Sequence, residues 1–431
     1  MRPVISEYFS TIEPSVIRSA QIDFSRRRDN VRAVNVAIGN VSLPMHPAMV
    51  ERMKRLGGGD SPFRDGVVKY TETVGLQETR SAFLNIIASS GLTADALQVL
   101  VTEGGSQAME LAILGVCGAA GSGERPLLVI DPAYTNYKAM AARLGRGVIS
   151  INRTLQEEGS FTLPGLSEIE KIIESGNPGA LLVIPYDNPT GQLYDREMLI
   201  SLAGLCVKHN IWLVSDEAYR ELYYAGGRTV SIWGLSNRDV PGIEGRRISI
   251  ESVSKVWNAC GLRIGALVTD NEEFHRRAVA ENTANLCSNA IGQYIFGALA
   301  HESSRDLTQW YEKQRSYYGD MLSNLNAEFK RLLPGVIISR PDAALYSVVD
   351  VRRIAANTFD ASDFVGYCAS KGSVQLADER YTLLVAPMAG FYNSGQELIN
   401  PGRTQMRIAY VETPENMKKV PLLFKELFAG F

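Results

Sequence analysis

Between about Leu97 and Thr269 the chain alternates short, mostly apolar runs with amphipathic stretches, and no other feature restricts its fold so strongly. The runs are Leu127–Ile130, Val148–Ile151, Leu181–Ile184, Trp212–Ser215, Ile248–Ser252 and Ile264–Val268, rich in Val and Ile and bounded by Gly, Pro or Asp. A strand without a polar face must be covered on both sides, and strands separated by helices are joined by crossovers. The pattern therefore predicts an α/β fold: a mostly parallel sheet covered by helices. Arg196–His209 predicts one such helix, with Asp195 as its N-cap. In sheets of this kind ligands gather at the carboxyl ends of the strands.

After Thr269 the pattern changes. Glu272–Ala280, Asn289–Glu302 and the charged amphipathic stretch Leu307–Leu332 predict helices, up to a turn at Pro334-Gly335. A second alternation follows in Val336–Ser339, Leu345–Asp350 and Met406–Val411, closed by an apolar-faced helix over Pro414–Phe428. The expectation is a large domain over 46–330 and a smaller α+β domain from 331–431 with the amino-terminal arm, 1–45. The 431 residues, 45% of them apolar, suffice for two cores. A net charge of -3 gives no reason to expect nucleic acid or an anionic membrane as partner. Met1–Glu7 holds no apolar core of signal-peptide length, and runs such as Ala180–Pro185 are too short to cross a bilayer. Five scattered cysteines (Cys117, Cys206, Cys260, Cys287, Cys368) form no CxxC pair and no Cys/His cluster. These features predict a cytoplasmic protein without a metal.

Four segments can carry chemistry, three of them just past apolar runs. Thr102-Glu103-Gly104-Gly105-Ser106-Gln107 leads straight into an Ala/Leu/Met-rich stretch, so its glycines are either a plain turn or a phosphate seat at a helix N-terminus. Asp187-Asn188-Pro189-Thr190-Gly191 follows an apolar run; it reads as a Pro-based turn or as a turn that aims the Asn188 amide at a ligand. Ser215-Asp216-Glu217-Ala218-Tyr219 offers acids that serve as helix caps or catalytic groups, and a helical turn would face Asp216 and Tyr219 the same way. Ser252-Val253-Ser254-Lys255, followed by Gly261-Leu262-Arg263-Ile264-Gly265, sets a lysine just past a strand with hydroxyls before it and an arginine after it. Desolvation and nearby cations depress a lysine's pKa, which suits a Schiff-base nucleophile.

Taken in order, these segments resemble the class I/II aminotransferases, enzymes of the aspartate-aminotransferase-like fold that depend on pyridoxal 5'-phosphate (PLP). Tyr70 with Gly75 and Arg80 upstream, and Arg407-Ile408-Ala409-Tyr410 downstream, extend the resemblance over most of the chain. It implies that Lys255 holds PLP as a Schiff base and then carries the proton between the substrate Cα and C4′, with pyridoxamine phosphate formed midway. It implies that Asp216 pairs with the pyridine nitrogen, that Tyr219 bonds the phenolic oxygen and with Asn188 holds down the aldimine pKa, and that Tyr134 stacks on the ring. The phosphate falls to Gly105, Ser106, Ser252 and Arg263, with Tyr70 reaching across a homodimer interface. Arg407 is the implied fork for the α-carboxylate, assisted by Asn188 and Gly39. The implied substrates are an amino acid and a 2-oxo acid such as 2-oxoglutarate.

Two stretches depart from the family's usual pattern, Ile38–Pro44 and Pro341–Tyr346, and both bear on the substrate side chain. The ending Gly390-Phe391-Tyr392 … Arg407–Val411 looks aspartate-aminotransferase-like and leans toward a dicarboxylic donor. A PLP lyase, such as a carbon–sulfur lyase, would use the same cofactor residues and is the alternative. A PLP-sensing DNA-binding regulator needs a basic module for which the early motifs leave no room, and a dinucleotide enzyme needs a G-x-G-x-x-G that is absent.

Overall fold

The computed structural model describes residues 3–118, 125–224, 226–340, 342–393 and 400–431; Met1, Arg2 and Pro341 of the sequence readings lie outside them. Its centre is a seven-stranded sheet in the order Gln98–Glu103, Ile264–Thr269, Arg247–Ser252, Trp212–Asp216, Ala180–Val183, Leu127–Asp131, Val148–Asn152. Neighbours are parallel except around Ile264–Thr269, which runs antiparallel to both of its partners. All six expected strands are present to within a residue or so at each end. The seventh, Gln98–Glu103, is an edge strand whose polar ends leave only a short apolar centre, too little for periodicity to mark.

Helices form where the pattern predicts them. Asp195 caps Arg196–Lys208, accepting the Met198 N–H at 2.7 Å. The stretch Asn289–Glu302 is an α-helix over Ala290–Gly297 that tightens into a 3-10 turn over Ala298–His301. The helix Gly104–Cys117 packs on Ile264–Thr269 and Arg247–Ser252, with Ala108, Leu111, Ala112 and Ile113 buried against the sheet. It begins beside the end of Arg247–Ser252 and the start of Ile264–Thr269.

Beside a two-stranded ribbon of Thr154–Leu155 with Phe161–Thr162, two smaller sheets of three and four strands lie in the rest of the chain. One is antiparallel, in the order Ile337–Ile338, Tyr346–Asp350, Gln405–Ala409, Ala386–Pro387. The other pairs the amino-terminal Arg32–Asn35 in parallel with Glu379–Leu384, register Arg32↔Tyr381 to Asn35↔Leu384, with Val374–Leu376 beyond. That pairing joins the two ends of the chain. The helix Ser304–Leu332, capped by Ser303, runs through residue 330 and packs on both Gln77–Ser89 and Pro414–Ala429. Among the described residues no helix is long and apolar enough to cross a membrane, and none of the five cysteines is in a disulfide.

Candidate active site

A cavity of about 330 Å³ opens at the carboxyl ends of the parallel strands, where segments from both smaller sheets close over the large one. Its first wall is built for an anion. Gly104 takes φ +72°, which lets the chain turn from strand to helix in one residue and points the first free N–H groups, those of Gly105 and Ser106, at the cavity. A side chain at Gly104 would meet Arg263 Nη2 at 2.6 Å, so glycine is what admits the guanidinium beside the helix start. Arg263 itself sits at φ +55°, donates to Cys260 O at 3.0 Å, and has no carboxylate partner among the described residues. Ser252 completes this wall: its Oγ donates to Ser254 Oγ at 2.8 Å and accepts from Ser254 N at 3.1 Å.

Asp216 lies deeper, at the end of its strand. Tyr137 Oη donates to its Oδ2 at 2.5 Å and the Ala218 N–H to its Oδ1 at 3.0 Å, yet among the described residues no cation forms an ion pair with it. Burial raises its pKa above the ordinary aspartate value, and the Tyr137 and Ala218 donors oppose that rise. Tyr134, edge-on to Tyr137 with ring centroids 5.5 Å apart, lines the same space. Lys255 reaches in from beyond Arg247–Ser252 and donates to Gly39 O. A side chain at Gly39 would collide with Tyr346 Oη and come within 3.3 Å of Lys255 Nζ.

The opposite wall is one connected set of hydrogen bonds. Arg407 Nη1 donates to Asn188 Oδ1 at 2.9 Å, Asn188 Nδ2 to Tyr219 Oη at 3.4 Å, and Tyr219 Oη lies 2.7 Å from Tyr346 Oη. Arg407 Nη2 donates to Ala37 O at 2.7 Å, and the guanidinium rests 4.5 Å from the Tyr346 ring centre and 5.1 Å from that of Phe391. Its Nε is buried without a partner. Burial, with Tyr346 beside it, holds the Tyr219 hydroxyl well above its ordinary pKa, so it stays protonated. Beneath Asn188 a buried ion pair, Arg153 Nη2 to Asp187 Oδ2 at 2.8 Å, anchors the loop, while Asp187 Oδ1 accepts from Thr190 N and Oγ1 at 3.0 and 2.6 Å. Removing one partner of such a pair typically costs about 3–5 kcal/mol.

The model of the family described as aminotransferase class I and II matches residues 32–420. The chain belongs to that family. It is accordingly a PLP-dependent aminotransferase. An aspartate aminotransferase of Thermotoga maritima is 25% identical over 365 residues, 84% of this chain and 85% of that protein. An aspartate/prephenate aminotransferase of Thermus thermophilus is 27% identical over 305 residues, 69% of this chain and 73% of that protein. In fold, the Thermus thermophilus aspartate aminotransferase with maleate matches at TM-score 0.78 and 21% identity, covering 99% of this chain and 100% of that one. N-succinyldiaminopimelate aminotransferase from Mycobacterium tuberculosis matches at 0.80 and 19%, with 99% and 100% covered.

The donor set of the cavity suits PLP. Helix N–H groups and an arginine free of carboxylates fit a phosphate; a lysine fits the aldehyde; an acid without a cation fits a protonated ring nitrogen; an unpartnered guanidinium edge fits a carboxylate. Gly39, Gly105, Ser106, Tyr134, Asn188, Asp216, Tyr219, Ser252, Lys255, Arg263 and Arg407 all line it. Tyr70 does not: it is 79% exposed and outside the lining. Asp216 faces the cavity from the end of its strand and Tyr219 from the turn that follows, rather than both from one face of a helix. Sequence reading passed over Tyr137, Ala37 and Arg153, and touched Tyr346 and Phe391 only within the stretches Pro341–Tyr346 and Gly390–Tyr392, with no role of their own. Tyr137, three residues past Tyr134, carried a usable signal as a second aromatic at the same strand end; the others come from segments whose placement no local pattern reveals.

Proposed function

We propose that this aminotransferase takes its amino group from a dicarboxylic, aspartate-like amino acid and passes it to a 2-oxo acid such as 2-oxoglutarate. The observation that carries this assignment of the site is Arg407, a buried guanidinium held by two bonds with its Nε unpartnered among the described residues, in the same cavity as Lys255 and Asp216. The dicarboxylic preference is supported by the names of the aspartate and aspartate/prephenate aminotransferases it resembles.

In this reading PLP, bound through Lys255, supplies a protonated ring that accepts the electron pair left on the donor's Cα. Asp216, ionised and fixed by Tyr137 and Ala218, keeps the proton on the ring nitrogen. Lys255, once released, takes the Cα proton and delivers it to C4′. Tyr219 and Asn188 donate to the phenolic oxygen, and Tyr134 flanks the ring. Gly105, Ser106, Ser252 and Arg263 bind the phosphate, with Tyr70 of a second copy beside them. Arg407, aided by Asn188 and the backbone at Gly39, fixes the α-carboxylate, so that the Cα–H bond is presented to Lys255. The proposal includes a cytoplasmic homodimer and a division of the chain into 46–330 and 1–45 with 331–431.

Borohydride reduction of the holoenzyme should abolish its visible absorbance and leave the cofactor on the peptide containing Lys255; label on another lysine would overturn the assignment. Without a 2-oxo acid, one turnover should release a single 2-oxo acid per site and stop. Continued production of pyruvate and ammonia from a β-substituted donor would identify a lyase instead. Mixing Lys255→Ala with an inactivating Tyr70 variant should restore part of the activity through hybrid dimers. No recovery, with subunit exchange shown separately, would place Tyr70 outside the site.

A further inference from the structure

We propose that Arg18 reads the far end of the substrate, binding the second carboxylate of a dicarboxylic donor or acceptor. This rests on the reading of the cavity as an aminotransferase site in which Arg407 takes the α-carboxylate. Among the described residues the charged side chains that line the cavity are Arg18, Lys255, Arg263 and Arg407 against a single acid, Asp216. The cofactor and the α-carboxylate account for all of these except Arg18. Lys255 carries the aldehyde carbon, Arg263 faces the phosphate, Asp216 faces the ring nitrogen, and Arg407 holds the carboxylate at Cα. Arg18 is the surplus cation.

Its surroundings leave it available. Arg18 belongs to the first turn of the helix Val16–Ser25, and its backbone N–H is capped by Ser15 Oγ at 3.4 Å. Its side chain pairs with no carboxylate among the described residues; Nη1 donates to the neutral, exposed Gln21 Oε1 at 3.0 Å. Ile17, Ile38, Met140 and Phe391 share the cavity wall and offer no hydrogen bond from their side chains, which suits the methylenes between two carboxylates. A guanidinium facing such walls is best satisfied by a planar anion that accepts two parallel bonds. A neutral side chain leaves Arg18 to water, and a cationic one meets repulsion with no acid to offset it.

The test uses the holoenzyme and two ligands that cannot react, succinate and butyrate, which differ by the second carboxylate. Binding is read by calorimetry and by the change in visible absorbance. Wild type should bind succinate more tightly than butyrate by about 10- to 100-fold, the range expected of a charge-assisted contact. Arg18→Gln should remove that preference and leave butyrate affinity within about twofold, while Arg18→Lys should keep part of it. Arg18→Glu should reverse it toward 4-aminobutyrate. Retained preference in Arg18→Gln, or an equal loss for both ligands, would overturn the proposal. Failure of the underlying reading shows differently: Arg407→Lys would then leave the binding of both acids intact.

Discussion

The two walls of the cavity are built in different ways. The cofactor wall, Gly104–Ser106, Asp216 and Ser252–Arg263, comes from strand ends of one sheet, so neighbouring strands hold its residues in register. The strand Ile264–Thr269 passes so close to the Gly104 turn that a side chain at Gly265 would lie 2.5 Å from Gly105 N. The substrate wall gathers Ala37–Gly39, Asn188, Tyr346, Phe391 and Arg407, which are remote in sequence. It exists only because the amino-terminal strand pairs with Glu379–Leu384 and because Arg407 donates to both Asn188 and Ala37. The first wall is a property of one sheet and the second of the docking between sheets. Changes to the first should therefore alter the chemistry of every substrate alike, and changes to the second should alter binding and discrimination.

The largest effect is expected from Asp216→Asn. The amide cannot keep a proton on the ring nitrogen, and kcat should fall by about 10²–10³-fold, as when a preorganised charge partner is removed from a reacting centre. The bound cofactor should be retained. Single-turnover rates at saturating donor measure this, and a rate within a few-fold of wild type would reduce Asp216 to the acceptor of the Ala218 N–H.

Arg407→Lys comes next. A point charge replaces a planar fork, so kcat/KM should drop by about 10–100-fold, mostly through KM and by a similar factor for every α-amino acid. An unchanged KM across several donors would place the carboxylate elsewhere and erase the contrast between the walls.

The smallest effect is expected from Tyr137→Phe. Burial already raises the Asp216 pKa and the Tyr137 hydroxyl opposes the rise. Removing that donor should push the pKa further up, so activity should be lost at a higher pH as the medium is acidified. That hydroxyl donates to the ionised carboxylate and favours its charged form, so its loss should move the acid limb upward. KM for the donor should hardly move. A downward move, or an effect confined to KM, would show that Tyr137 serves the substrate wall.

The contrast also explains what was legible. Strands such as Leu181–Ile184 announce themselves because burial on both faces demands unbroken apolar runs, and Asn188, Asp216 and Lys255 lie just past such runs, while Gly104-Gly105 is marked by its own glycines. Strand-end position is local information. Gln98–Glu103 escaped because an edge strand tolerates polar ends. Arg153 and Tyr346 escaped because nothing beside them in the chain records that Asp187 or Tyr219 will be their partner.

The residues alone thus determined the order of strands and helices, the family and the set of groups that suit PLP, since each of these depends on apolar periodicity or on turns a few residues long. Only the tertiary structure decided that Arg407 would be clamped between Asn188 and Ala37, that Gly39 would have to be bare to clear Tyr346, and that Arg18 would stand at the cavity with no carboxylate partner among the described residues. Those contacts join segments hundreds of residues apart. Their geometry is set by sheet pairing and close packing, which hold distant side chains in one arrangement that no neighbouring residue in the chain encodes.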